Sequence, residues 1–151
     1  MRTLLVVGSP RSGTTFLATK ISERVSNGLL PEAQWLIEGL TGRSTSDYSK
    51  SAWGVACPAV EQLCIDNNSI KEVVKNFTMQ SGWSASPEVW VEHTPQNILH
   101  LRRIKSVIDV SMILSPLRRP SLSVRSLVNQ PWFKGGTLRA AYFNLKCMFA
   151  L

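Results

Sequence analysis

Histidine, cysteine and acidic side chains are all scarce in this chain of 151 residues. Two histidines, His93 and His100, and three cysteines, Cys57, Cys64 and Cys147, with no CxxC pair, leave little from which to build a zinc site, and no metal is expected. The odd cysteine count points to reduced thiols in packing roles and so to a cytoplasmic setting. No apolar run approaches the length of a bilayer span. The N-terminal LLVV is too short for a signal-peptide core and runs straight into a glycine-bearing loop, so a soluble, untargeted chain is expected. No internal repeat is visible. Acids are thinnest near the C-terminus, where residues 101–151 hold nine Lys or Arg against one acid, Asp109, within a net charge of +7. That bias suits an anionic ligand, whether nucleotide, nucleic acid or membrane surface, although any one of these bases is equally well read as solvated.

What is present reads as one globular domain over 1–151, with 44% apolar and 18% charged residues. TLLVV at 3–7 is a β-forming run suited to a strand buried on both faces. Beyond GSPRSGTT, Leu17, Ile21 and Val25 recur at helical spacing, which predicts a helix from near Thr14 to just before SNG. Residues 40–57, rich in Ser, Thr and Gly, read as a loop. Ser69 and Glu72 suggest a capping box ahead of Ile70, Val73, Val74 and Phe77, which share a helical face. VWVEHTP reads as a second strand, with Thr94 as helix cap and Pro95 at the first helical position, and Leu101, Ile104 and Ile108 continue that helix. VSMIL at 110–114 is a third strand, and Pro120 starts a helix through SLSVRSL. Alternating strands and helices predict an α/β fold with a central parallel sheet flanked by helices. Ligands of such sheets gather beyond the carboxyl ends of the strands, where Arg11, Glu92, His93 and Arg118 all fall.

The densest motif is GSPRSGTT, residues 8–15. Gly8 and Gly13 permit tight turns, and amides around Ser12 to Thr15 would face an anion from a helix N-terminus. The nucleoside-triphosphate pattern GxxxxGK[ST] would put lysine at position 14, where this chain has Thr14. Without that lysine a kinase or ATPase loses its contact to the β- and γ-phosphates. No acidic strand end offers itself for magnesium, apart from Glu92.

PRSGTTFL resembles the loop of sulfotransferases that use 3′-phosphoadenosine 5′-phosphosulfate, in which Lys or Arg followed by SGTT cradles the phosphosulfate. The resemblance implies that Arg11 holds the phosphosulfate and offsets charge on the leaving phosphate. Ser12, Gly13, Thr14 and Thr15 would supply amides and hydroxyls. RRPSLSVRS resembles the family's second signature, R-x-P-x5-S, which places Arg118 and Ser126 on the 3′-phosphate of the donor. VEHTPQN resembles a strand end where the family has E-K-T-P or N-K-D-P. His93 stands at that lysine position, with the implied role of stabilising charge during transfer. In the bacterial and protein-tyrosine branches a glutamate about twenty residues after the loop's basic residue serves as base. Glu32, twenty-one residues after Arg11 in LLPEAQWL, matches it, with Glu92 as the other candidate. The apolar neighbours Leu29, Leu30, Trp35 and Leu36 would raise the Glu32 pKa.

The resemblance covers residues 4–40 and 88–128. It implies a P-loop-like three-layer sandwich and in-line transfer of a sulfuryl group to a hydroxyl or amine, with the acceptor a small molecule, glycan, lipid or peptide. Residues 41–87 would be the variable acceptor side, and the C-terminal part of the family domain is expected to be missing. Read from residues alone, Glu32 is also an ordinary glutamate in a helix's first turn, His93 a structural hydrogen-bonder and His100 structural. Two other functions stay open. One is a nucleotide kinase or NTPase. The other is a non-catalytic basic module for nucleotide or nucleic acid, in which Trp132 and Phe133 beside Lys134 stack on bases. Irregular spacing of aromatics and bases argues against nucleic acid.

Overall fold

The computed structural model describes residues 1–26, 28–43, 46–53, 67–80 and 87–150. In chain order it contains β1 (Arg2–Val6), α1 (Thr14–Val25), α2 (Gln34–Thr41), α3 (Asp47–Trp53) and α4 (Asn67–Gln80). There follow β2 (Val89–Glu92), a 3₁₀ helix (Pro95–His100) running into α5 (Leu101–Val107), β3 (Val110–Leu114), α6 (Pro120–Val128) and α7 (Thr137–Met148). The three strands form a parallel sheet in the order β2-β1-β3, flanked by helices. Residues 41–87 thus include α3 inside the stretch read as loop. Cys57 and Cys64 lie outside the described residues.

The apolar run in β1 marks it as the central strand, because a strand paired on both edges and covered on both faces has no solvent side. Leu5, Val6 and Val7 are fully buried, and alternation sends them to different layers. Leu5 and Val7 join the larger core with Trp35, Ile70, Val74, Trp90 and Ile104. Val6 joins a smaller one with Ala18 and Val91, bordered by Leu17 and Ile21 of α1. The Trp35 and Trp90 rings stack with centroids 6.2 Å apart, tying α2 to β2.

The packing locates the buried face of α1 and corrects two local readings. Helix α1 buries Thr14, Ala18 and Ser22 rather than Leu17, Ile21 and Val25, because small side chains let it lie close to the sheet. The longer aliphatics flank that contact, and Val25 is exposed. Helix α4 reaches back to Asn67, so Ser69 lies within it rather than capping it, whereas Ile70, Val73, Val74 and Phe77 do face the core. Thr94 precedes a 3₁₀ turn and makes no side-chain cap, its hydroxyl bonding Glu92 instead. Strand β3 is less regular than β1, since its pairing skips Ser111 between Thr3↔Val110 and Leu4↔Met112.

Candidate functional site

The loop after β1 is held from three sides. Val7 N–H donates to Leu114 O (2.9 Å), Gly8 N–H donates to Pro95 O (3.2 Å), and the Asn144 amide of α7 donates to Ser9 Oγ (2.5 Å). Gly8 and Gly13 have φ of +158° and +107°, and a Cβ at Gly8 would meet Ser12 Oγ at 3.0 Å. Between them Arg11 also takes a left-handed backbone, φ +70°, which no other described non-glycine residue does. A side chain there costs about 1–2 kcal/mol, and such strain collects at functional positions. Helix α1 begins immediately after with no acid in its first turn, so its positive end faces the loop uncompensated.

Arg118, at the turn between β3 and α6, donates from Nη1 to the carbonyl of Arg11 at 2.9 Å, across 107 residues of sequence. Arg11 Nε–H donates to Ser126 Oγ on α6 at 3.1 Å. Pro120 fixes the start of α6 and so sets Ser126 about two turns along it. The two motifs therefore adjoin, with both guanidinium groups exposed. The ion pair Lys20–Glu23 lies away from them, and the charge of Arg11 acts on Glu32 across the site.

A cleft of about 750 Å³ opens beside these groups. Its walls include Arg11, Gly13, Thr14, Thr15, Glu32 and Arg118, together with Phe16, Gln34, Tyr48, Gln96 and Trp132. Glu32 is half-buried just ahead of α2, not in a helical turn, and Gln34 Nε2 lies 3.5 Å from its Oε2. Burial pushes the Glu32 carboxyl above its ordinary value and the Glu92 carboxylate adds to this, while His93, the Gln34 hydrogen bond and Arg11 pull the other way. A carboxyl so placed can take a proton from a hydroxyl in the cleft.

Ser12, Glu92, His93 and Ser126 do not line this cleft, Ser126 meeting it only through its bond to Arg11. Ser12 turns toward a smaller cavity shared with Ser9, Ser115, Ser123 and Asn144, where the hydroxyls of Ser12 and Ser123 have no hydrogen-bond partner. Glu92 is 1% exposed and accepts from Ala33 N–H (3.2 Å), Thr94 N–H (3.0 Å), Asn97 Nδ2 (3.1 Å) and the Thr94 hydroxyl. It is a knot joining β2 to the approach of α2, out of reach of any acceptor. Burial raises its pKa and the donors only partly offset this. Glu92→Leu is expected to lower stability by about 3–5 kcal/mol in urea denaturation, because several buried donors lose their acceptor together.

His93 is buried, with Nδ1 unpartnered. Burial lowers its pKa and the charge of Glu32, rather than Glu92, opposes the shift. At neutral pH it is therefore an uncharged imidazole, able to donate a hydrogen bond but not to replace a lysine's positive charge. His100 is part-buried beside α5, consistent with a structural place. Burial raises the Cys147 thiol to about 11, so it is an inert packing group.

Of the residues sequence reasoning missed, Phe16 and Gln96 lie inside the quoted motifs without being singled out, and Gln34 lies two beyond Glu32. Adjacency alone was their signal. Tyr48 had none, lying in the stretch read as loop. Among the described residues no helix is long and apolar enough to cross a membrane, and no group of three His, Cys, Asp or Glu side chains is placed to hold a metal. The sequence matches no protein-family model and no curated protein.

Proposed function

We propose that the cleft belongs to a nucleotide-dependent group-transfer enzyme with a P-loop-like, three-layer fold. More specifically, we read it as a sulfotransferase using 3′-phosphoadenosine 5′-phosphosulfate. The observation that carries this is the joining of the two signatures by Arg118 and Ser126 onto Arg11, which sets both guanidinium groups side by side at the carboxyl ends of adjacent strands. The residues fit the donor: two exposed guanidiniums, a helix N-terminus and two threonines suit a bisphosphate, and Thr14 in place of lysine suits a group less charged than a terminal phosphoryl.

In this reading the donor supplies an activated sulfuryl group. Arg11 holds the phosphosulfate and balances charge growing on the leaving phosphate, with amides of Gly13 to Thr15 around it. Arg118 and Ser126 hold the 3′-phosphate, Arg11 giving up Ser126 as it turns to the ligand. Glu32 accepts the acceptor's proton at its carboxylate, and neutral His93 contributes a hydrogen bond at most. Orienting the two reactants in line supplies much of the acceleration.

A thermal shift tests the donor class directly. Adenosine 3′,5′-bisphosphate at a hundred times its Kd is expected to stabilise the chain by about 2.7 kcal/mol, with ATP plus magnesium giving little. The reverse ranking would favour a kinase or NTPase, and a shift by neither would sink the assignment.

A further inference from the structure

Helix α7 is amphipathic the wrong way round. Its inner face is Ala140, Asn144 and Cys147, all buried against the domain. Its outer face presents Leu138 (87% exposed), Tyr142 (63%), Leu145 (50%) and, one residue past the helix, Phe149 (87%). At about 100° per residue these four fall in a single narrow stripe. A contiguous exposed apolar stripe of this kind marks an interaction surface.

Charge indicates what it meets. Arg139 and Lys146 both lie on one flank of the stripe, and Lys146 Nζ stands 5.7 Å from the Tyr142 ring centroid. Residues 110–151 contain six Lys or Arg and no acid. A second copy meeting stripe to stripe in antiparallel fashion would bring base against base. An acidic partner helix would ordinarily sit in a groove, whereas side chains 87% exposed stand up as a ridge. Apolar side chains entering an interface, aromatic and lysine at headgroup level and a positive flank are the features of a helix lying on a lipid surface.

We infer that the outer face of α7 docks the protein on an anionic lipid bilayer. Leu138, Tyr142, Leu145 and Phe149 enter the headgroup boundary, and Arg139 and Lys146 meet lipid phosphates. The loop leading into α7 carries Trp132, a wall of the cleft, so docking brings the cleft mouth close to the membrane surface.

Co-sedimentation of the full chain with vesicles tests this. Retention is expected on phosphatidylcholine vesicles containing about one-third phosphatidylserine, and only weakly on phosphatidylcholine alone, with loss as salt rises above ~0.1 M. Leu138→Asp with Phe149→Asp should weaken partitioning at least about tenfold, as should Arg139→Glu with Lys146→Glu. The charge pair alters only exposed side chains, so it and the salt dependence of the parent decide the matter should the apolar pair lower the melting temperature. Absence of the parent from anionic vesicles would overturn the inference, as would retention unchanged in the charge pair. Binding of a synthetic acidic amphipathic helix without vesicle binding, or stripe-dependent dimers in sedimentation velocity without it, would also overturn it and reassign the face.

Discussion

Arg11→Ala is expected to weaken binding of adenosine 3′,5′-bisphosphate by about 100-fold or more, close to 3 kcal/mol, in isothermal titration calorimetry. The guanidinium is exposed beside the cleft and bonded to Ser126, so its loss removes one anion contact and the Ser126 tether, while the backbone carbonyl that holds Arg118 stays in place. Arg11→Lys keeps the charge but not the fork that reaches Ser126, and should fall between parent and alanine. Arg11→Gly separates binding from stability. At φ +70° glycine escapes the left-handed penalty, and this offsets its greater chain entropy. That variant should melt no lower than the parent while binding as poorly as Arg11→Ala. Normal affinity in either would remove Arg11 from the site, and early melting of Arg11→Gly would remove the argument from strain.

Glu32→Gln is expected to leave bisphosphate affinity within about threefold while lowering turnover by about 100- to 10,000-fold, the usual worth of a positioned general base. Turnover is read as bisphosphate released from the phosphosulfate donor in the presence of a panel of phenolic and sugar hydroxyls. The pH dependence has a definite sign. A base works when deprotonated, and burial raises Glu32 above its ordinary 4.5, so the parent's rate should climb with pH through a midpoint above that value. Glu32→Gln should flatten this limb. A retained limb in the glutamine variant would assign the titration to another group. Equal losses of affinity and rate would make Glu32 a binding residue.

The architecture was legible to different depths. Strand β1, the start of α1 and the helix at Pro120 follow from short-range rules, an apolar run, a glycine-bounded loop and a proline, each acting within a few residues. The buried face of α1 was not legible, because hydrophobicity points to Leu17 and Ile21 while close approach to the sheet selects Thr14, Ala18 and Ser22. Helix α3 was hidden because Ser, Thr and Gly carry loop statistics, and packing can override those.

The site divided in the same way. Arg11, Gly13, Thr14, Thr15 and Arg118 stand beside structural punctuation, and all of them line one cleft, whereas Ser12 and Ser126 lie off it. The two candidates at the end of β2 lie off it as well. In one dimension Glu92 and His93 look as available as Glu32. In three, Glu92 is consumed by the backbone of Ala33 and Thr94, and His93 loses its charge to burial.

By itself the sequence determined the strand–loop–helix opening, the three strands and the residue types offered to an anion, because these depend on local conformational preference and charge. Only the tertiary structure decided that Arg118 and Ser126 meet Arg11, that Glu32 and not Glu92 reaches the cleft, and that α7 turns its apolar stripe outward. Contact and desolvation depend on which distant groups share a volume, and no local rule specifies that.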